Sequence, residues 1–140
     1  MQSLKKFATR AGRIRELPSY EELISSIDPE VKWLFRAHTG GYSGESIYVG
    51  QKVRCMKGEF VFVSNTWGSC ALCDVLQGCN DLADLEALRQ SLADAFIWFA
   101  SLAEMLKWAE GRDWETQICE PALVKKLRQW LRREATPRIS

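Results

Sequence analysis

The sequence has one histidine, no long apolar run and no excess of charge of either sign, and each shortage excludes a class of protein. Its 140 residues carry 19 basic and 18 acidic side chains, a balance that is atypical of a domain built to bind nucleic acid. No apolar segment approaches the roughly 20 residues that cross a bilayer, and none follows the basic N-terminal residues as in a signal peptide. We therefore expect a soluble cytoplasmic protein with no membrane partner. The length predicts a single globular domain over residues 1–135 with a flexible tail over 136–140.

A recognisable catalytic pattern is also missing. His38 precedes a glycine-rich turn, a position typical of a surface or helix-end residue. The glycine-rich segment at 40–44 lacks the Gly-Lys-Ser/Thr ending of a phosphate loop. Asp113 and Glu115 bracket Trp114, which we interpret as a core tryptophan in a turn whose charges stay solvated. We therefore predict that the protein is not an enzyme.

Five cysteines are an odd number, and without a secretory signal we expect reduced thiols. A C-x-x-C pair with a third cysteine close behind it could supply ligands to a tetrahedral zinc ion. The interpretation that we favour is that these cysteines pack as small apolar side chains, so no cofactor is required. A redox pair at a helix N-terminus is a further alternative. The candidate metal ligands are Cys70, Cys73, Cys79 and His38, with Cys55 or Cys119 as alternatives to the last.

The pattern of apolar residues predicts an α+β fold, in which a β-hairpin forms the core of a small antiparallel sheet packed against several amphipathic helices. β-branched and aromatic residues fill segments 46–55 and 59–66 on either side of a turn at 56–58. Segment 60–63 is apolar on both sides of the pleat, so we expect it in the middle of the sheet or under a helix. Helices are predicted at 3–17, 19–27, 28–37, 81–99, 101–111 and 121–135. The bulky residues at 31–37 would also suit a strand.

Local signals define several helix ends. Ser19 with Glu22, and Ser101 with Glu104, each have the spacing of a capping box. Gly111 is predicted to end its helix in the left-handed conformation.

The aromatic residues provide a further signal, because the chain contains six tryptophans. Trp98 and Phe99 are neighbours in a predicted helix and so point to different faces. One of these faces is expected to meet a second element or a partner, and an exposed tryptophan is a typical hot spot.

Charge is unevenly distributed along the chain. Residues 1–17 and 120–140 are basic, whereas 74–115 is acidic. If the two basic ends met in space, they would form one positive face. The candidate partner-binding residues are Lys125, Lys126, Arg128, Trp130, Arg132, Arg133, Asp113 and Glu115.

The central half of the chain, over 42–115, resembles a family of small uncharacterised proteins of bacteriophages and bacteria. The family combines a hairpin, a Gly-Ser-Cys-x-x-Cys-Asp-x-Leu-Gln motif, helices and an Asp-Trp-Glu ending. The matching residues are Gly68, Ser69, Cys70, Cys73, Asp74, Leu76 and Gln77, then Trp98, Phe99, Asp113, Trp114 and Glu115. The resemblance implies a phage or prophage setting and carries no established activity.

Small size, no catalytic pattern and opposite charges on one domain together favour a protein-binding function. We interpret the chain as a non-enzymatic phage-type domain that occupies the surface of a host protein or complex. It would act as an inhibitor of an antiviral defence system such as CRISPR-Cas, with complementary charge steering the encounter. The alternative is a nucleic-acid-binding module whose basic terminal helices contact phosphates. A second alternative is a zinc-stabilised or thiol-redox protein.

Overall fold

A computed structural model of the protein describes residues 1–40, 44–52, 59–72, 74–112, 114 and 120–135. Within these residues a four-stranded antiparallel sheet packs against helices, which confirms the predicted α+β class. None of the described helices has the length and apolar composition that a membrane span requires. In chain order the elements are a 3-10 turn (Lys5–Phe7), α1 (Tyr20–Ser25), β1 (Val31–His38), β2 (Gly44–Lys52), β3 (Glu59–Trp67), α2 (Leu82–Asp94), β4 (Ile97–Phe99), α3 (Leu102–Gly111) and α4 (Pro121–Ala135).

The sheet has the strand order β1-β2-β3-β4. Its centre is the predicted hairpin, in which β2 and β3 pair from Gly44 opposite Trp67 to Lys52 opposite Glu59. The predicted turn at 56–58 lies outside the described residues. β3 lies between β2 and β4, as its doubly apolar pattern predicted.

Both faces of the sheet are covered, and each face has its own core. Tyr48 and Val63 point to one face, where they pack with α1, α2 and the N-terminal segment. Val49 and Phe62 point to the other face, where they pack with α3 and α4. Because successive side chains of a strand alternate between faces, a strand covered on both sides must be apolar at nearly every position.

The predicted helix at 28–37 is wrong, because Val31–His38 form β1, which is the strand that the bulky residues also suited. Its β-branched and aromatic side chains pair with β2, from Val31 opposite Lys52 to His38 opposite Ser46. The register shifts between Trp33 and Phe35, where β1 has one extra residue. As a result Trp33 packs on the α1–α2 side and Phe35 on the α3–α4 side, although they are two positions apart.

The predicted helix at 3–17 is also wrong, since only a single 3-10 turn forms there. The chain turns at Gly12, which has a φ of 85°. After this turn the backbone N–H of Arg15 donates to the carbonyl of Phe7 at 2.8 Å, so the segment pairs with itself in an extended form. The left-handed conformation of Gly12 interrupts the helix that the apolar spacing alone predicts.

The predicted helix at 81–99 ends early, because α2 stops at Asp94 and residues 97–99 join the sheet as β4. Trp98 and Phe99 do point to different faces, but as neighbours in a strand. Phe99 packs into the α3–α4 core, whereas Trp98 is 40% exposed.

Of the predicted helix ends, the capping box of Ser19 and Glu22 is confirmed. Ser101 accepts from the backbone N–H of Glu104 at 3.1 Å, but the glutamate accepts from Ala100 and so completes no capping box. The left-handed stop at Gly111 is wrong, since this glycine is the last residue of α3 and does not have a positive φ.

Candidate partner-binding site

An open groove of about 370 Å³ lies along the outer edge of β1, between this strand and α4. It is the place where the structure gathers basic and aromatic side chains from distant parts of the sequence. We refer to it as the edge groove. It is lined by Phe35, Arg36, Ala37, His38, Lys126, Gln129, Trp130 and Arg133.

The orientation of α4 follows from its apolar spacing. Leu123, Leu127 and Leu131 recur every four residues and are at most 1% exposed, because they face the core below the sheet. Residues three and four apart share a helix face. Lys126 and Trp130 therefore lie together on the neighbouring face of α4, which lines the groove beside β1. The buried leucines thereby fix which basic residues of α4 reach the groove.

The floor of the groove is aromatic. Trp130 stacks on Phe35 of β1, with ring centroids 5.1 Å apart and an angle of 27° between the ring planes. Both side chains are half-buried, so part of each ring remains accessible. A rigid, partly exposed aromatic pair offers contact area at little cost in conformational entropy.

The walls of the groove are basic. Lys126 and Arg133 are exposed on the α4 side. Arg36 and His38 line the β1 side, where strand alternation places them on the face opposite to Phe35. Arg36 forms an ion pair with Glu21 of α1, in agreement with that orientation. A ligand in the edge groove therefore meets the positive charges of Lys126 and Arg133 on the α4 side, and on the β1 side it meets His38 and an Arg36 that is paired with Glu21.

The other predicted partner-binding residues of α4 have different surroundings. Arg128 donates twice to the carbonyl of Ala109, from Nε at 3.2 Å and from Nη2 at 3.1 Å. Arg132 Nε lies 2.7 Å from a carboxylate oxygen of Glu110. These two arginines join α4 to α3, whereas Lys125 is exposed and does not line the groove.

Two further predictions about charge can be compared with the structure. Asp113 and Glu115 lie outside the described residues, although Trp114 between them is buried as predicted and donates from Nε1 to Ala109. The N-terminal segment packs in the α1–α2 layer and α4 on the opposite face of the sheet. The two basic ends therefore do not form the single positive face that their charges suggested.

The cysteine motif after β3 forms a loop that is held by one buried carboxylate. Asp74 is 6% exposed and accepts hydrogen bonds from Tyr20 Oη at 2.7 Å, from Gly68 N at 3.0 Å and from Leu76 N at 2.9 Å. Gln77 Nε2 adds a bond to the Gly68 carbonyl at 2.8 Å. The Asp and Gln of the motif thus close the loop on its glycine, which is a structural role.

The ionisation states of Asp74 and Tyr20 agree with a structural role. Burial alone would raise the pKa of Asp74, but hydrogen bonds from Tyr20 and from three backbone N–H groups outweigh it and lower the pKa below its ordinary value. Burial and the bond to the aspartate raise the pKa of Tyr20. The aspartate is therefore ionised and the tyrosine neutral across the physiological range.

The outer side of this loop is apolar. Leu72 is 99% exposed and Val75 is 67% exposed, and Cys70 is exposed near them in the sequence. Isolated exposed apolar residues are common on protein surfaces. Leu72 and Val75 are therefore two further candidate contact residues on this loop.

The predicted metal ligands do not assemble within the described part of the chain, where histidine, cysteine and acidic residues form no group of three able to hold an ion. Cys73, Cys55 and Cys119 lie outside it. Cys79 is buried and its thiol contacts the carbonyl of Val75 at 3.3 Å. Zinc binding and redox activity stay predictions.

The thiol of Cys79 is poorly suited to nucleophilic chemistry. Burial raises its pKa, and the nearby carboxylates of Asp84, Asp81 and Asp74 raise it further. Because the thiolate is the reactive form, a raised pKa keeps this sulfur in its inert form near neutral pH. It packs as the small apolar side chain that the sequence favoured.

Sequence reasoning missed Phe35, Arg36 and Ala37 on the β1 side of the edge groove, and Gln129 on the α4 side. A strand assignment for 31–38 would have placed aromatic and basic residues on an edge, but nothing local pairs this segment with α4. That pairing joins positions about ninety residues apart and depends on the sheet order.

The chain matches no protein-family model, and neither a curated protein nor a solved structure is similar to it. The phage-family resemblance therefore stays a prediction, and function is inferred from the edge groove and the loop.

Proposed function

We propose that this protein is a non-enzymatic binding protein that docks an acidic surface of a partner protein against the edge groove. The observation that carries the proposal is the Trp130–Phe35 stack with basic side chains on both of its sides. Tryptophan and arginine are enriched in binding hot spots, where they combine buried apolar area with charge-assisted hydrogen bonds. The described lining contains cations, an amide, an imidazole and aromatic rings, which supports binding more than turnover.

Several features favour a protein partner over nucleic acid. Binding along a phosphate backbone requires a run of basic side chains that track successive charges. Here Arg128 and Arg132 are engaged with α3, and the N-terminal basic residues lie on the other layer of the molecule. The remaining positive patch is short and has an aromatic centre, which suits an acidic protein surface.

The setting is part of the same proposal. A phage protein with such a surface would act by occupying a site on a host protein, as an inhibitor of an antiviral system such as CRISPR-Cas. Its mechanism would be steric and electrostatic, with no bond made or broken.

The test is capture of partners from bacterial lysate by the wild-type protein and by two charge-reversal variants. The groove variant combines Lys126→Glu with Arg133→Glu. The matched control combines Lys125→Glu with Lys107→Glu, which changes net charge equally at exposed positions away from the groove. We expect a stoichiometric protein partner that the control retains and that the groove variant binds at least about tenfold more weakly.

Raising the salt concentration should weaken the same complex. Exposed charges attract each other over roughly 8 Å at physiological ionic strength, and added salt shortens that distance. Equal retention by both variants, or the absence of any stoichiometric partner, would contradict the proposal. Loss of capture after nuclease treatment would instead favour the nucleic-acid alternative.

A further inference from the structure

The backbone of β1 adds a second kind of recognition to the edge groove. Resting on the proposed function, we infer that the partner supplies an extended acidic segment that joins the sheet as a fifth strand beside β1. Strand addition uses main-chain hydrogen bonds for affinity and side-chain contacts for specificity. It requires an open sheet edge, outward-facing backbone groups and side chains that select the added strand.

The open edge follows from the strand order, since β1 is the first strand of the sheet and, among the described residues, pairs with β2 alone. The direction of its backbone groups follows from the ladder. Thr39 N donates to the carbonyl of Glu45 at 3.0 Å, and Glu45 N donates to the Thr39 hydroxyl at 3.0 Å, so the N–H of Thr39 faces β2. Because this direction alternates along an antiparallel ladder, Arg36 and His38 direct their N–H and C=O groups away from β2. These are the groups that an added strand would bond.

The side chains around the edge select for negative charge. An added strand would place successive side chains on alternate faces of the sheet. Those on the α4 side would meet Trp130 between Lys126 and Arg133, and those on the other side would meet Arg36 and His38. Acidic residues are therefore favoured on the α4 face, beside Lys126 and Arg133, with an apolar residue over the tryptophan.

The same charges argue against a second copy of this chain as the occupant. Exposed basic side chains on an edge strand repel an identical edge and so oppose self-pairing. Lys32, Arg36 and His38 are all exposed on β1. A partner strand of opposite charge is attracted by the same residues. β1 has eight residues, which is the greatest length over which an added strand can pair with it.

The experiment begins with selection of linear peptides on the wild-type protein from a random library of segments of about twelve residues, long enough to span β1. We expect enrichment of acidic peptides with alternating apolar residues. The best peptide is then synthesised in two forms, N-methylated at odd or at even positions. A strand bonds its neighbour through alternate residues, so one form should bind at least about tenfold more weakly and the other should bind nearly as the parent does.

Protein variants provide the reciprocal test. His38→Pro removes an outward N–H without breaking the bonds to β2, a substitution that edge strands tolerate. His38→Ala removes the imidazole but keeps that N–H, and is the matched control. We expect the proline variant to bind the selected peptide several-fold more weakly than the alanine variant, with similar unfolding midpoints.

Failure of strand addition can be told apart from failure of the proposed function. If no acidic peptide is enriched, or if both N-methylated forms bind equally, strand addition is wrong. The proposed function then still depends on the charge-reversal result with the captured partner. If that partner is lost on charge reversal while the methylated peptides bind alike, the groove binds a folded acidic surface. Should His38→Pro not fold, the methylated peptides decide alone.

Discussion

At the scale of single residues, Asp74 shows how a motif that suggests chemistry can serve structure. Its carboxylate is buried and collects donors from α1, from the start of the loop and from the loop itself. A buried anion is stable only when its oxygens are well supplied with donors, and each charge-assisted bond contributes about 1.5–3 kcal/mol. The aspartate of the motif therefore fixes the loop geometry, independently of any role of the neighbouring thiols.

Replacing this carboxylate should be costly. We expect Asp74→Ala to lower the free energy of unfolding by about 3 kcal/mol, because three donors lose their acceptor at once. Urea denaturation followed by tryptophan fluorescence measures it. Tyr20→Phe removes one of these charge-assisted bonds and should cost only about 1.5 kcal/mol. Equal losses in the two variants would mean that the carboxylate does not organise the loop.

The same residue should make the protein sensitive to acid. Asp74 has a folded-state pKa below its ordinary value, so its contribution to stability is complete above the unfolded pKa of about 4. That contribution is lost as the pH falls through the folded pKa. As the pH falls below about 4, the wild type should lose more stability than Asp74→Ala, which lacks this proton linkage. Parallel curves of unfolding free energy against pH would contradict the assignment.

At the scale of elements, close packing of β1 against β2 requires a glycine in β2. Trp33 of β1 lies opposite Gly50 of β2. A methyl group at Gly50 would lie 3.0 Å from the indole ring and would also collide with Val31. The glycine thus leaves room for the tryptophan, which packs edge-on against Tyr48 and Phe96 in the same core.

We expect Gly50→Ala to lower the free energy of unfolding by about 1–3 kcal/mol through overpacking. The matched control is Gly111→Ala, where the added methyl meets nothing within 4 Å. That change should be neutral or stabilise α3 by up to about 1 kcal/mol, since alanine is the better helix former. Denaturant titrations of both variants measure the difference. A neutral Gly50→Ala would mean that Val31 and Trp33 can both move aside freely.

The elements also show where local pattern was a sufficient guide. The β2–β3 hairpin, α1 and α4 form where composition, capping and apolar spacing agree. Segment 28–37 begins with Asp28-Pro29, a helix-start signal, while its bulky side chains equally suit a strand, so pairing with β2 decides its structure. Segment 3–17 has apolar residues at three- and four-residue spacing, a pattern that can occur by chance in a segment that is not helical. In β1 the extra residue between Trp33 and Phe35 also disturbs the alternation that would have revealed the strand.

At the scale of the whole molecule, one sheet is shared by two cores. Leu85 of α2 is fully buried on one face, and Leu127 of α4 is fully buried on the other. Because both cores pack on the same strands, neither can unfold without exposing one face of the sheet. We infer that the two layers unfold together.

Substitution of each leucine tests this coupling. Leu85→Ala and Leu127→Ala should each lower the free energy of unfolding by about 2–5 kcal/mol, and both should shift the same single transition. In the double variant the two losses should add to within about 0.5 kcal/mol, since the sites do not touch. Two separate transitions, each sensitive to one substitution, would show that the layers are independent.

The sequence by itself determined the α+β class, the central hairpin, the amphipathic helix α4 with its exposed basic residues, and the burial of Trp114. Each of these depends on residues that are close together in the chain. Only the tertiary structure decided that residues 31–38 form an edge strand, and that α4 lies beside it so that Trp130 meets Phe35. It also separated the two basic ends and directed Arg128 and Arg132 to α3. Such outcomes depend on which distant surfaces bury each other, and free energies of long-range packing are not encoded in local spacing.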